Sequence, residues 1–103
     1  MASQMKIRAQ IQGAFAEVKA LINHPMESGF RKDESGNIIP AHYIETVKVS
    51  LNEKPLFKAN WGPAISRNPF LGCRVKGAKA GDTVSITWVD NKGDSRTDKT
   101  KIT

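Results

Sequence analysis

The chain has 103 residues, 39% of them hydrophobic and 25% charged, a globular balance that excludes a disordered segment. Charge interrupts every apolar stretch well short of membrane-spanning length, so no membrane partner is expected. Sixteen Lys and Arg against ten Asp and Glu leave a net charge of +6, which favours an acidic partner. The cations are scattered from Lys6 to Lys101 without a run of three, and the aromatic Gly-Phe pattern of RNA-binding sheets is missing. Solvated strand faces account for most of the lysines, and no nucleic-acid partner is expected. The length suits a single domain over residues 1–103, with Cys73 as the only cysteine and so no internal disulfide.

Taken in chain order, the elements are nearly all strands. Met5, Ile7, Ala9 and Ile11 alternate with Lys6, Arg8, Gln10 and Gln12, the signature of a half-buried strand. Gly13-Ala14 turns into a second strand from Phe15 to Ile22, and a long loop follows. Tyr43, Val47, Val49 and Leu51 line one face of a third strand, with Glu45 out of pattern. Asn52-Glu53-Lys54 reads as a polar turn before a fourth strand, Leu56 to Trp61. Gly62 to Pro69 leads into a fifth, Phe70 to Val75, where Leu71, Cys73 and Val75 should face inward. Val84, Ile86 and Trp88 alternate with polar residues in a sixth strand. Asp90-Asn91-Lys92-Gly93-Asp94 is a strong hairpin signal, because Asn and Gly tolerate positive φ. The seventh strand, Ser95 to Ile102, is polar and suits an edge. No stretch has helical periodicity, and seven short strands at this spacing predict an all-β, immunoglobulin-like β-sandwich.

Function concentrates in the long loop, where both histidines occur, each beside a proline: His24-Pro25-Met26-Glu27-Ser28-Gly29 and Ile39-Pro40-Ala41-His42-Tyr43-Ile44. Such a pair could form a metal site, a binding surface or a hydrogen-bonded corner. Histidines beside prolines are expected to bond backbone carbonyls that the prolines leave irregular. A two-histidine, one-carboxylate iron site using Glu27 or Asp33 is the competing reading.

These segments resemble the SoxZ family. The resemblance is carried by His24 to Gly29 with Arg31-Lys32-Asp33, the Ile39 to Ile44 segment, Trp61-Gly62-Pro63, Asn68-Pro69-Phe70-Leu71, and Val84 through Asp94. It implies an immunoglobulin-like fold and a non-catalytic subunit of the SoxYZ carrier of bacterial thiosulfate oxidation, without a cofactor. The implied partner is a SoxY-like chain that bears sulfur on a cysteine in a Gly-rich tail. That pairing makes a heterodimer, open to doubling into a heterotetramer, with transient contacts to other Sox enzymes. The closing Thr97 to Thr103 has neither Gly nor Cys and so resembles the supporting subunit. Residues 1–6 lack the apolar core of a signal peptide, so a periplasmic location is expected through co-export with a signal-bearing partner.

Small immunoglobulin-like superoxide reductases offer a rival resemblance, since they also have His-Pro-Met and His-Tyr-Ile beginnings. Their iron needs four histidines and a cysteine, whereas this chain has two histidines, so no metal ligand is assigned. Cys73, in phase with Leu71 and Val75, reads as a core residue, because a functional thiol needs exposure and a lowered pKa. The partner surface is placed on the stiff apolar connection containing Trp61, Pro63, Ile65, Pro69 and Phe70, helped by His24, Pro25 and Met26. Large apolar side chains on loops suit a permanent interface. The competing reading is that they fold back and plug the ends of the sandwich.

Overall fold

The computed structural model describes residues 4–103, so the first three residues of the expected 1–103 span lie outside the description. Seven strands form: β1 Lys6–Gln12, β2 Phe15–Leu21, β3 Ile44–Leu51, β4 Lys54–Asn60, β5 Phe70–Lys76, β6 Thr83–Asp90 and β7 Ser95–Lys101. They make two antiparallel sheets, ordered β1-β2-β5 and β4-β3-β6-β7. No helix occurs among the described residues.

Alternation decides which side of each strand is buried. In β2, Ala16, Val18 and Ala20 turn inward while Glu17, Lys19 and Leu21 stay outside. In β6, Val84, Ile86 and Trp88 enter the same core from the opposite sheet. Val47 and Val49 of β3 pair directly with Trp88 and Ile86, so adjacent strands bury matching positions. Each fully buried Val or Ile contributes roughly 1.5–3 kcal/mol of transfer free energy. All the lysines are exposed, as solvated strand faces require.

The inward phase of β3 differs from the sequence expectation. Ile44 is fully buried and Tyr43 only partly, because the register against β6 shifts between Ile44 and Thr46. Glu45 is the extra residue of that bulge, which explains its poor fit to the pattern. β4 begins two residues earlier than expected. Asn52 and Glu53 take left-handed φ values of 48° and 68°, closing a two-residue turn between Leu51 and Lys54.

The two sheets are stitched along the β1 and β7 margins. Ile11 N–H donates to the Thr103 carbonyl at 2.9 Å, and Thr103 N–H donates to the Ala9 carbonyl at 3.1 Å. Met5 N–H donates to the Asp98 carboxylate at 2.9 Å, and Arg96 grips the same carboxylate through two N–H groups. The Arg96 guanidinium holds the Asp98 carboxyl below its ordinary value, against burial.

Residues 23–43 fold into a two-legged arm. Its legs are bridged in antiparallel fashion at Glu27–His42 and Lys32–Ile38. Asp33 turns the tip by accepting from the N–H groups of Ser35 and Asn37. Gly29 has a φ of 91°, and a Cβ there would come within 3.1 Å of the Ala41 side chain, so glycine lets the legs approach. The arm contributes to an elongated body of 52 × 21 × 20 Å.

Candidate functional site

The structure brings the two candidate segments of the sequence together. His24 N–H donates to the Asn68 side-chain oxygen at 3.1 Å, and Asn68 N–H donates to the His24 carbonyl at 2.9 Å. This pair of bonds ties the start of the arm to the connection between β4 and β5. The individual residues then divide by burial. His24, Met26 and Pro69 are buried, Trp61 and Ile65 are half-buried, and Pro25, Pro63 and Phe70 are exposed. His24 and Met26, 2% and 6% exposed, belong to the interior of this corner and do not present a surface. Phe70, 62% exposed, does.

The histidines meet Asp90, the first residue of the β6–β7 hairpin signal. His24 Nε2 lies 3.0 Å from Asp90 Oδ2, and His42 Nε2 lies 2.8 Å from the same oxygen. The other carboxylate oxygen, Oδ1, accepts from the N–H groups of Lys92 and Asp94 and so closes the β6–β7 hairpin. One buried carboxylate therefore accepts four hydrogen bonds and joins the arm to the end of β6. The expectation that the histidines bond backbone carbonyls is corrected: a carboxylate is their acceptor. Glu27 and Asp33 are not the carboxylates involved. Glu27 forms a bidentate pair with Arg31 on the surface, and Asp33 caps its own turn.

The tautomer of His24 follows from its second partner. Met26 N–H donates to His24 Nδ1 at 3.1 Å, so Nδ1 carries the lone pair and Nε2 carries the proton given to Asp90. Met26 reaches this position in a left-handed conformation, φ 49°, which is costly for a residue with a side chain. Its sulfur is in turn 3.4 Å from the Ile44 N–H that it accepts. The rings of His42 and Trp88 pack edge-to-face on His24, with centroids 4.6 and 5.0 Å away.

Electrostatics agree with this assignment. Burial lowers the pKa of His24, and the charge of a protonated His42 pushes the same way, against the pull of Asp90. Burial opposes ionisation of Asp90, yet the bonds from His24, His42, Asp94 and Lys92 outweigh it and hold the carboxyl below its ordinary value. A neutral His24 beside an ionised Asp90 is the state the geometry selects.

His24, His42 and Asp90 each offer a ligand atom, all within 4.8 Å of one another, so the cluster must be weighed as a metal centre. A metal on Nε2 of a neutral His24 would move the proton to Nδ1, directly against the Met26 N–H. Metal-bound histidines characteristically donate from their second nitrogen to an acceptor, and here that nitrogen faces a donor. The donor set fits a hydrogen-bonded corner and does not fit a metal.

Cys73 is half-buried on β5, and burial raises its thiol pKa. Val75 is fully inside, while Leu71 and Cys73 lie at the margin of the core, a position less deep than strict alternation suggests.

Seven antiparallel strands in two facing sheets, closed at one end by a polar corner, define an immunoglobulin-like β-sandwich. Two solved structures share it: the superoxide reductase (neelaredoxin) of Ignicoccus hospitalis and a glutamate-to-alanine variant of that protein. The first superposes with a TM-score of 0.69 at 15% identity, covering 98% of this chain and 80% of that one. The second gives 0.67 at 16% identity, covering 95% and 77%. At these identities the likeness is one of fold. No curated protein matches the sequence. The family model for the sulphur oxidation protein SoxZ matches residues 5–101, and the chain belongs to the SoxZ family.

Proposed function

We propose that this chain is the non-catalytic subunit of a SoxYZ-like sulfur carrier, supporting a SoxY-like chain that holds the cysteine-bound intermediates of thiosulfate oxidation. The observation that carries the reading is the SoxZ family match over residues 5–101. The chemistry of the chain supports it. Cys73 is half-buried with a raised pKa, the opposite of an activated nucleophile. The histidines are committed to Asp90 and leave no free base beside a thiol.

Co-expression with a SoxY-like partner tests the proposal. A stable complex with one copy of each chain is expected, active with the Sox enzymes, while this chain alone turns over no thiosulfate. Location in the periplasm is expected only when the partner's export signal is intact. Thiosulfate-oxidising complexes that form equally well without this chain would refute the support role.

The iron-protein reading is the alternative, and the hydrogen bond from Met26 to His24 opposes it. Titration with ferrous iron checks this directly. About one iron bound per chain, with an absorption band lost in His42→Ala, would restore it.

A further inference from the structure

Sheet edges are sites of unwanted pairing, and three of the four edges here are guarded. β4 carries Pro55 and a bulge at the Val49/Ser50 register shift. β1 and β7 are covered by the bonds of Thr103 to Ala9 and Ile11, and by the inward Asp98 held by Met5 and Arg96. The edge of β5 is different. It pairs with β2 along all seven residues on one side and with nothing on the other among the described residues. It has no proline, no bulge and no inward charge.

Each face of β5 offers something different to an added strand. On the core side, Leu71 and Cys73 are only half-covered. On the outer side stand Phe70, Gly72, Arg74 and Lys76, all exposed. A depression of about 290 Å³ lies over the paired β2 and β5 strands, between Glu17, Val18 and Lys19 on one side and Phe70, Gly72 and Arg74 on the other, next to the edge and not on it. The outer face of the whole β1-β2-β5 sheet is basic, with Lys6, Arg8, Lys19, Arg74 and Lys76 against Glu17, which Lys19 already pairs at 3.0 Å.

We propose that β5 is a docking edge that accepts an extended segment of another polypeptide, alternating apolar and acidic residues, as an added strand. Backbone hydrogen bonds to the free edge supply affinity. The apolar side chains cover Leu71 and Cys73, and the carboxylates reach Arg74 and Lys76. A second copy of this chain is a poor occupant, because β5 against β5 sets the same cations on one face with no carboxylates to meet them. A nucleic acid lacks the amide ladder the edge requires. The edge offers this surface whether or not the sulfur-carrier reading holds.

The probe is a blocked peptide of alternating valine and glutamate, matched in length to β5, added to the full chain while amide hydrogen exchange is followed by NMR. Amides of β5 that do not bond β2 should exchange at least about tenfold more slowly, and Arg74→Glu with Lys76→Glu should weaken binding at least about tenfold. Arg74 also lies over the Phe15 ring at 4.8 Å and opposite Glu17, so Lys76→Glu alone, which touches neither contact, is measured beside the double variant and should weaken binding in the same direction. A valine–lysine peptide should have no effect. The proposal fails if millimolar peptide protects nothing, if protection falls on β4 or β7, or if the double variant binds equally well. It also fails if the chain dimerises through β5 unaided, or if a DNA oligonucleotide protects β5 more than the peptide does.

Discussion

Asp90→Asn is the most informative single change, because it keeps the shape of the side chain while removing its charge and one of its two acceptor oxygens. The carboxylate accepts from His24 and His42 on Oδ2, at 3.0 and 2.8 Å, and from Lys92 and Asp94 on Oδ1, at 3.0 and 2.9 Å. An amide has one acceptor oxygen. Whichever way it is oriented, its NH₂ group faces two donors: either the two histidines or the two hairpin N–H groups. His24 cannot relieve the conflict by changing tautomer, because its Nδ1 is engaged by Met26 N–H. His42 has no second bond to its ring and can turn an unprotonated Nε2 to the amide, so at least one bond to a charged acceptor is lost, worth roughly 1.5–3 kcal/mol, and we expect a cost of about 2–4 kcal/mol. That is a large share of the ~5–15 kcal/mol of a typical domain. Urea unfolding at neutral pH should show the midpoint falling with an unchanged slope. A cycle with His42→Ala should give a coupling of about 1 kcal/mol or more. A loss below about 1 kcal/mol in Asp90→Asn, or no coupling to His42, would refute the description of the corner.

Stability should also depend on acid. His24 has a folded pKa below its ordinary 6.5, so the unfolded chain binds the proton more readily and stability falls as pH drops from above 6.5 toward the folded value. Asp90 and Asp98, both held below 3.8, add a second loss below that pH, and His24→Gln should remove the first step in stability measured against pH while leaving the Asp98 part of the second. Cys73 should react slowly with iodoacetamide in the native chain and fast in urea, since burial raises its pKa; rapid native labelling would make it a functional thiol. Phe70→Ala should leave the melting temperature nearly unchanged, because the ring is mostly exposed, while weakening any complex formed at the β5 end of the molecule. A melting temperature lowered by more than about 4 °C would place Phe70 in the core instead.

Much of the fold was legible because burial and alternation coincide: Val84, Ile86 and Trp88 read as inward residues and are inward. The phase of β3 was not, since a bulge at Glu45 inserts a residue whose effect depends on the partner strand. The corner was half legible. Both histidines stood out, but their acceptor lies 66 and 48 residues away in a segment whose Asn-Gly content already explained it as a hairpin. A residue serving two roles shows only the local one in sequence. Burial of Met26 was equally hidden, because its left-handed backbone breaks the rule that places loop side chains outside.

The long reach of Asp90 has a kinetic consequence. Contacts between residues so far apart in the chain form only after the intervening loops have closed, an entropic cost met once the sheets are assembled. The corner should thus be absent from the transition state and act as a latch that sets the rate of opening. Weakening it should speed unfolding while leaving the refolding rate nearly constant, so that the lifetime of the native chain, more than its speed of formation, rests on one carboxylate.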